Sequence, residues 1–133
     1  MLDELHGQLD LERIHFLGRI PYPALLTLLQ VSWVHVYLTY PYILGWSLLE
    51  AMACGCCIVG SKGMPMDEVI KHQSNGMLIP FDQPHMLADM VCALLSNSSM
   101  RRELGHQARI DSLAWDQSHM TPRLEALLYT LFD

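Results

Sequence analysis

The sequence predicts an α/β fold: a parallel, Rossmann-like sheet flanked by helices. Three observations carry this. Short β-branched or aromatic runs alternate with helix-forming runs along most of the chain. Residues 34–60 read strand, loop, helix, strand, which is a βαβ crossover. Cys56 to Gly60 (CCIVG) is apolar at every position, as suits a strand buried on both faces.

Taken in order, Met1 to Leu11 is polar with spaced leucines and predicts a short helix or turn. Ile14 to Leu17 (IHFL) alternates as a strand does and closes at Gly18. Pro23 suits a helix start, and ALLTLLQ carries that helix to Gln30. Val34 to Thr39 (VHVYLT) is the next strand, ended by Pro41, and Gly45 is expected to free the backbone at the corner that follows. Trp46 to Cys54 (WSLLEAMAC) is rich in helix formers and stops at Gly55. After the CCIVG strand and a loop over Ser61 to Pro65, Met66 to Lys71 predicts a short helix. Asp67 and Glu68 lie in its first turn, where the dipole favours them. Asn75-Gly76 is a turn signal, and Met77 to Ile79 is a last strand, stopped by Pro80. Pro84 to Leu95 is amphipathic, with Asp82 as its expected cap. Met100 to Leu113 predicts a polar, two-sided helix, and Trp115 to Phe132 a helix with a wide apolar face.

Length and composition bound the function. A chain of 133 residues is one domain at most. Its 51% hydrophobic content excludes a disordered chain. A net charge of −6 with no basic run argues against nucleic acid as a partner. No apolar run reaches the ~20 residues of a membrane span, and no signal peptide is visible. The four cysteines read as free thiols, which fits a cytoplasmic location. The histidines lack the spacing of a helical metal pair, so no metal ligand is expected. No G-x-G-x-x-G, P-loop or G-x-S-x-G pattern is present.

In parallel α/β sheets ligands bind at the carboxyl ends of the strands. Here those ends carry Gly18 to Ile20, Tyr40 to Gly45 and Ser61 to Pro65, so these loops should converge. The Trp46–Cys54 helix points its open N-terminus at the same place, where an anion can sit. Glu50 is the one charged residue of that helix. Its plainest reading is a solvated helix edge. The functional reading is a carboxylate that accepts hydrogen bonds from a ligand's hydroxyl pair, as carboxylates do for ribose in nucleotide-binding folds.

The stretch LLEAMACG with its following strand resembles the signature of the retaining glycosyltransferases of family 4, the group 1 family. So do IHFLGRIPY upstream and GMPMDEVI…NGMLIPFD downstream; together they cover about residues 10–115 in order and at matching spacing. The resemblance implies part of the C-terminal half of a GT-B fold, a single incomplete donor-binding domain over residues 1–133. It implies a nucleotide-diphosphate sugar as donor substrate and neither a metal nor another cofactor. Glu50 would hold the ribose, Ile20 would pack on the base, and Arg19 would lie beside the nucleotide. Backbone N–H groups of Gly45, Trp46 and Ser47 would face the diphosphate. Tyr42, Ile43, Leu44 and Glu68 would line the donor sugar. For Ile20 and Glu68 the plain alternatives are an apolar loop residue and an N-terminal helix acid.

The family pattern carries a glutamate at position 42 as well as at 50, and here the first is Tyr42. A tyrosine still offers one hydrogen bond and a ring face to a sugar, but no charge near neutral pH. The intact helix beside it predicts a working site with a changed sugar contact, with Tyr42 facing the cleft near Gly45. The resemblance implies an acceptor half that is absent here, and the Arg and Lys that grip the diphosphate at the start of the family's donor half match nothing before Ile14. The isolated chain is therefore expected to have no catalytic residue set of its own, to be inactive alone, and to self-associate through residues 124–132. The alternative is a non-catalytic nucleotide-sugar-binding or interaction module.

Overall fold

The computed structural model describes residues 10–39 and 44–131. Three parallel strands form its sheet, in the order β1 (His35–Tyr37), β2 (Ile58–Ser61), β3 (Met77–Ile79). Val36 pairs with Val59, and Val59 with Met77. Among the described residues six α-helices flank it: α1 (Tyr22–Val31), α2 (Trp46–Ala53), α3 (Met66–Val69), α4 (Pro84–Ser96), α5 (Ser98–Ser112) and α6 (Gln117–Tyr129). The predicted α/β class and Rossmann-like arrangement are the observed ones.

Strand β2 is buried along its whole length because both of its faces are covered. Ile58 packs on one side with Leu29 of α1, Leu48 and Met52 of α2 and Ala108 of α5. Cys57 and Val59 pack on the other with Leu94 of α4 and Leu104 of α5. Alternation along the strand feeds two cores, which is the period of two acting through a central position.

Helix α2 ends as Gly55 predicted. Gly55 takes φ +77°, its N–H donates to Met52 O at 2.9 Å and the Cys56 N–H donates to Ala51 O at 3.0 Å. That bond pair is a Schellman cap, which needs a left-handed residue and so favours glycine. The chain leaves it already aimed into β2.

Several expectations are corrected. Ile14–Leu17 is not a strand: residues 14–17 run without sheet pairing among the described residues, after a 3-10 turn at Leu11–Arg13. Alternation made the segment fit for a strand, but a strand exists only where a neighbour offers a ladder. Asp82 is not the cap of α4; the N-cap is Gln83, without a side-chain bond. Helix α5 begins at Ser98, before the expected Met100, because the Asn97 side chain accepts the Met100 N–H at 3.0 Å. The last helix is preceded by a separate 3-10 turn, Leu113–Trp115, and starts only after Asp116 caps it. The turn expected at Asn75 is present. Asn75 is fully buried, with Nδ2 donating to Val69 O at 3.1 Å and to Asp111 Oδ2 at 2.7 Å. It ties the loop before β3 to α5. Gly45 has φ −86° and ψ 149°, so its backbone needs no glycine.

His35 on β1 has a buried Nε2 without a hydrogen-bond partner among the described residues, and burial lowers its pKa. The ring is therefore held neutral in the fold. Above about pH 6.5 both states carry a neutral ring; below it the unfolded chain takes up the proton first. The His35 contribution to stability is thus present at neutral pH and is lost as pH falls from about 6.5 through the lowered folded value. Thermal melts between pH 7 and pH 5 should show a shallower loss of Tm in His35→Phe. Equal slopes in the two proteins would show that His35 does not contribute.

Candidate functional site

Two of the three expected loops are joined at the carboxyl edge of the sheet. The Ser61 hydroxyl, at the end of β2, donates to Thr39 O at 2.8 Å and accepts the Thr39 N–H at 3.0 Å. This prolongs the β1–β2 pairing past its last strand pair, Tyr37 and Gly60. The chain leaving β1 therefore departs beside the loop leaving β2. Residues 40–43 lie outside the described set, so the expected contacts of Tyr42 and Ile43 do too.

Helix α2 opens at this edge. Gly45 is its N-cap residue and has no side chain to cap with. The Gly45 N–H is not free to meet a ligand, because it donates to the Tyr37 hydroxyl oxygen at 2.9 Å. The Leu48 N–H donates back to Gly45 O at 3.2 Å. Between them, the N–H groups of Trp46 and Ser47 have no acceptor among the described residues. These are two of the orphan donors that give a helix N-terminus its affinity for anions.

Glu50 lies four residues after Trp46, about 6 Å further along the helix axis, on the same face. It is half-buried. The Glu50 carboxylate lies beside the phenol of Tyr22, at the first position of α1, and raises the Tyr22 pKa. Glu50 thus has a neighbour in α1 as well as solvent. Tyr22 also brings the expected base-side loop to it, since half-buried Ile20 and exposed Arg19 stand just before α1. Tyr22 was not among the expected site residues. Its only sequence signal was its place two residues after Ile20, at a helix start.

Leu44, Trp46 and Leu49 line one wall of an apolar cavity of about 590 Å³, whose other wall is Trp115, Met120 and Leu124. Trp46 is 79% exposed there. The sequence signalled nothing of this cavity, because its walls lie about 70 residues apart in the chain. Glu68 is exposed in the first turn of α3, and the loop before that helix is held by Gly63 N–H donating to Asp67 Oδ1 at 3.2 Å.

The cysteines carry no site. Cys54 and Cys57 stand at C-x-x-C spacing, yet Cys54 packs on the core under α1 and α2 while Cys57 packs on the core under α4. Burial pushes the Cys56 and Cys57 thiols up to about 11, so neither is a ready nucleophile. Among the described residues no group of three His, Cys, Asp or Glu could hold a metal ion, and no helix is long and apolar enough to cross a membrane.

A parallel sheet flanked by helices, with an open helix N-terminus at its carboxyl edge, defines a Rossmann-like α/β class. The sequence matches the family described as Glycosyl transferases group 1 over residues 1–111, and the chain belongs to that family. It is 28% identical over 109 residues to an uncharacterized glycosyltransferase of Methanocaldococcus jannaschii, covering 81% of this chain and 28% of that protein. It is 34% identical over 98 residues to the N-acetyl-alpha-D-glucosaminyl L-malate synthase of Bacillus anthracis, covering 74% of this chain and 25% of that one. The chain therefore spans about a quarter of the length of the curated relatives it matches. Its fold is similar to that of sucrose-phosphate synthase from Thermosynechococcus elongatus, with TM-score 0.87 and 24% identity over 98% of this chain and 33% of that one. It is also similar to Anabaena HepE in complex with UDP-glucose, with TM-score 0.83 and 22% identity over 97% of this chain and 36% of that one.

Proposed function

We propose that this chain is the later part of the donor-binding half of a retaining glycosyltransferase. That enzyme moves a sugar from a nucleoside-diphosphate sugar to an acceptor. The observation that carries the reading is the pairing, on one face of α2, of the Trp46 and Ser47 N–H groups, which have no acceptor among the described residues, with the Glu50 carboxylate one turn in. A nucleotide's diphosphate and ribose are separated on that scale. The HepE structure, of similar fold, holds UDP-glucose, which supports a nucleoside-diphosphate sugar as the ligand.

In this reading Trp46 and Ser47 bind the diphosphate through the backbone. Glu50 takes the ribose hydroxyls, and Ile20 and Arg19 lie at the base. Leu44 and Glu68 lie toward the sugar, with Tyr42 and Ile43. The charge that develops on the leaving diphosphate is met by the helix N-terminus, with no metal cofactor in the scheme. In this reading the acceptor site belongs to the acceptor half, and the Arg and Lys that complete the diphosphate grip to the first strand and helix of the donor half. The domain is then one incomplete donor-binding unit, in a cytoplasmic protein with free thiols. The apolar flank of α6, with Leu124, Leu127 and Leu128 exposed, is covered in this reading by copies of the chain when the acceptor half is absent.

The alternative, a non-catalytic nucleotide-sugar-binding module, is favoured by one observation: Tyr42 stands where the family pattern has a glutamate. Titration of the 133-residue chain with uridine, guanosine and adenosine diphosphates, followed by NMR, tests binding. Shifts are expected at Trp46, Ser47 and Glu50. The same protein, given nucleoside-diphosphate sugars, should release no nucleoside diphosphate, since most of the transition-state contacts are missing. Turnover by the isolated chain would overturn the incomplete-domain reading, and silence at α2 to millimolar ligand would overturn the donor site. Light scattering on the same sample should show mass rising with concentration; a monomer throughout would remove the self-association.

A further inference from the structure

Gly45 is a glycine for reasons of space. A Cβ built on it would stand 2.7 Å from the Tyr37 hydroxyl oxygen, well inside van der Waals contact. That same oxygen accepts the Gly45 N–H at 2.9 Å. Tyr37 reaches it from β1, where its backbone is paired with Gly60 of the central strand. Its ring packs against the core that holds Leu48 and Met52 of α2. The phenol is thus anchored at one end in the sheet and at the other in the first residue of the α2 turn.

Gly45 is held at two points. Its N–H goes to Tyr37, and its carbonyl accepts from Leu48. A residue held at both its N–H and its C=O fixes the two peptide planes it joins, and with them the direction of the Trp46 N–H and of the Ser47 N–H that follows. Direction matters, because hydrogen bonds weaken steeply once the donor angle falls below about 120°. We propose that Tyr37 is the positioning residue of the diphosphate-facing turn, aiming the Trp46 and Ser47 N–H groups through the hydrogen bond its hydroxyl accepts from Gly45. This rests on the donor reading above and adds to it a residue that touches no ligand.

Tyr37→Phe isolates the claim, because it keeps the ring and removes only the acceptor. In the 133-residue chain, NMR titrations would use uridine, guanosine and adenosine diphosphates and the matching nucleosides. Affinity for the diphosphate should fall about three- to tenfold, the worth of one neutral hydrogen bond, while nucleoside affinity holds. The Gly45 amide should shift upfield and exchange faster with solvent. Equal loss for diphosphate and nucleoside would make Tyr37 a packing residue and overturn the proposal. So would unchanged affinity in a variant whose parent binds. A parent that binds no diphosphate overturns the donor reading itself, and the positioning role with it.

Gly45→Ala, which keeps Tyr37, tests the proposal by itself if Tyr37→Phe loses the fold, and completes a cycle with it if it does not. Gly45→Ala should displace the phenol and lower diphosphate affinity by a similar factor when Tyr37 is kept. Combined with Tyr37→Phe, the same alanine should add little. Additive losses across the cycle would show that the two residues do not act as one unit and would overturn the proposal.

Discussion

Gly105→Ala is expected to destabilise the fold by about 2–4 kcal/mol, near the upper end of what overpacking costs. Gly105 lies inside α5, where a glycine is worse than alanine by about 1 kcal/mol. The chain tolerates that cost because α5 crosses directly over the Schellman turn that ends α2. A Cβ on Gly105 would collide with the Gly55 carbonyl oxygen and stand 3.2 Å from the Gly55 carbonyl carbon. Both are backbone atoms of a hydrogen-bonded cap, so neither can rotate aside as a side chain would. Relief requires α5 to lift off α2, which opens the core shared by Ala108, Leu48 and Met52. Thermal unfolding followed by circular dichroism reads the effect directly. A melting temperature within a degree or two of the parent would show that α5 yields without cost. The same variant should weaken ligand binding, because α2 carries Trp46, Ser47 and Glu50.

Glu50→Gln is expected to lower the affinity for nucleoside diphosphates and for nucleosides alike, by about 10- to 150-fold, the equivalent of 1.5–3 kcal/mol for a charge-assisted hydrogen bond. The carboxylate can accept from both hydroxyls of a ribose; the amide has one acceptor oxygen and presents donors where acceptors are needed. The fold should be untouched, since Glu50 is only half-buried and the change keeps its shape. The Tyr22 pKa, raised mainly by Glu50, should move back toward the ordinary value. Loss for both ligand classes separates this role from that of Tyr37, which is expected to act on the diphosphate alone. Unchanged affinity in Glu50→Gln would return Glu50 to a structural partner of Tyr22.

What was legible in the sequence is what local chemistry dictates. Gly55 after a run of helix formers specified a cap, and the apolar run at Ile58 a strand buried on both faces; both are as observed. The placing of α2 between β1 and β2 followed from the order of the runs. Glu50 stood out as the single charge on an otherwise apolar helix. Other features were not legible. Asp82 had the chemistry of a cap, but Gln83 took the position. The turn at Asn75 was legible, but not the bonds its side chain gives to Val69 and Asp111.

By itself, the sequence determined the elements of this protein, their order, and the open N-terminus that faces the carboxyl edge of the sheet. Those depend on propensities and periodicities that act within a few residues. Only the tertiary structure decided that Ile14–Leu17 stays out of the sheet, that Tyr22 meets Glu50, and that the Tyr37 phenol takes the Gly45 N–H. A strand needs a ladder, a carboxylate a donor, and a peptide N–H an acceptor. In each case the partner, present or missing, is set by how separate elements pack, which no local pattern records.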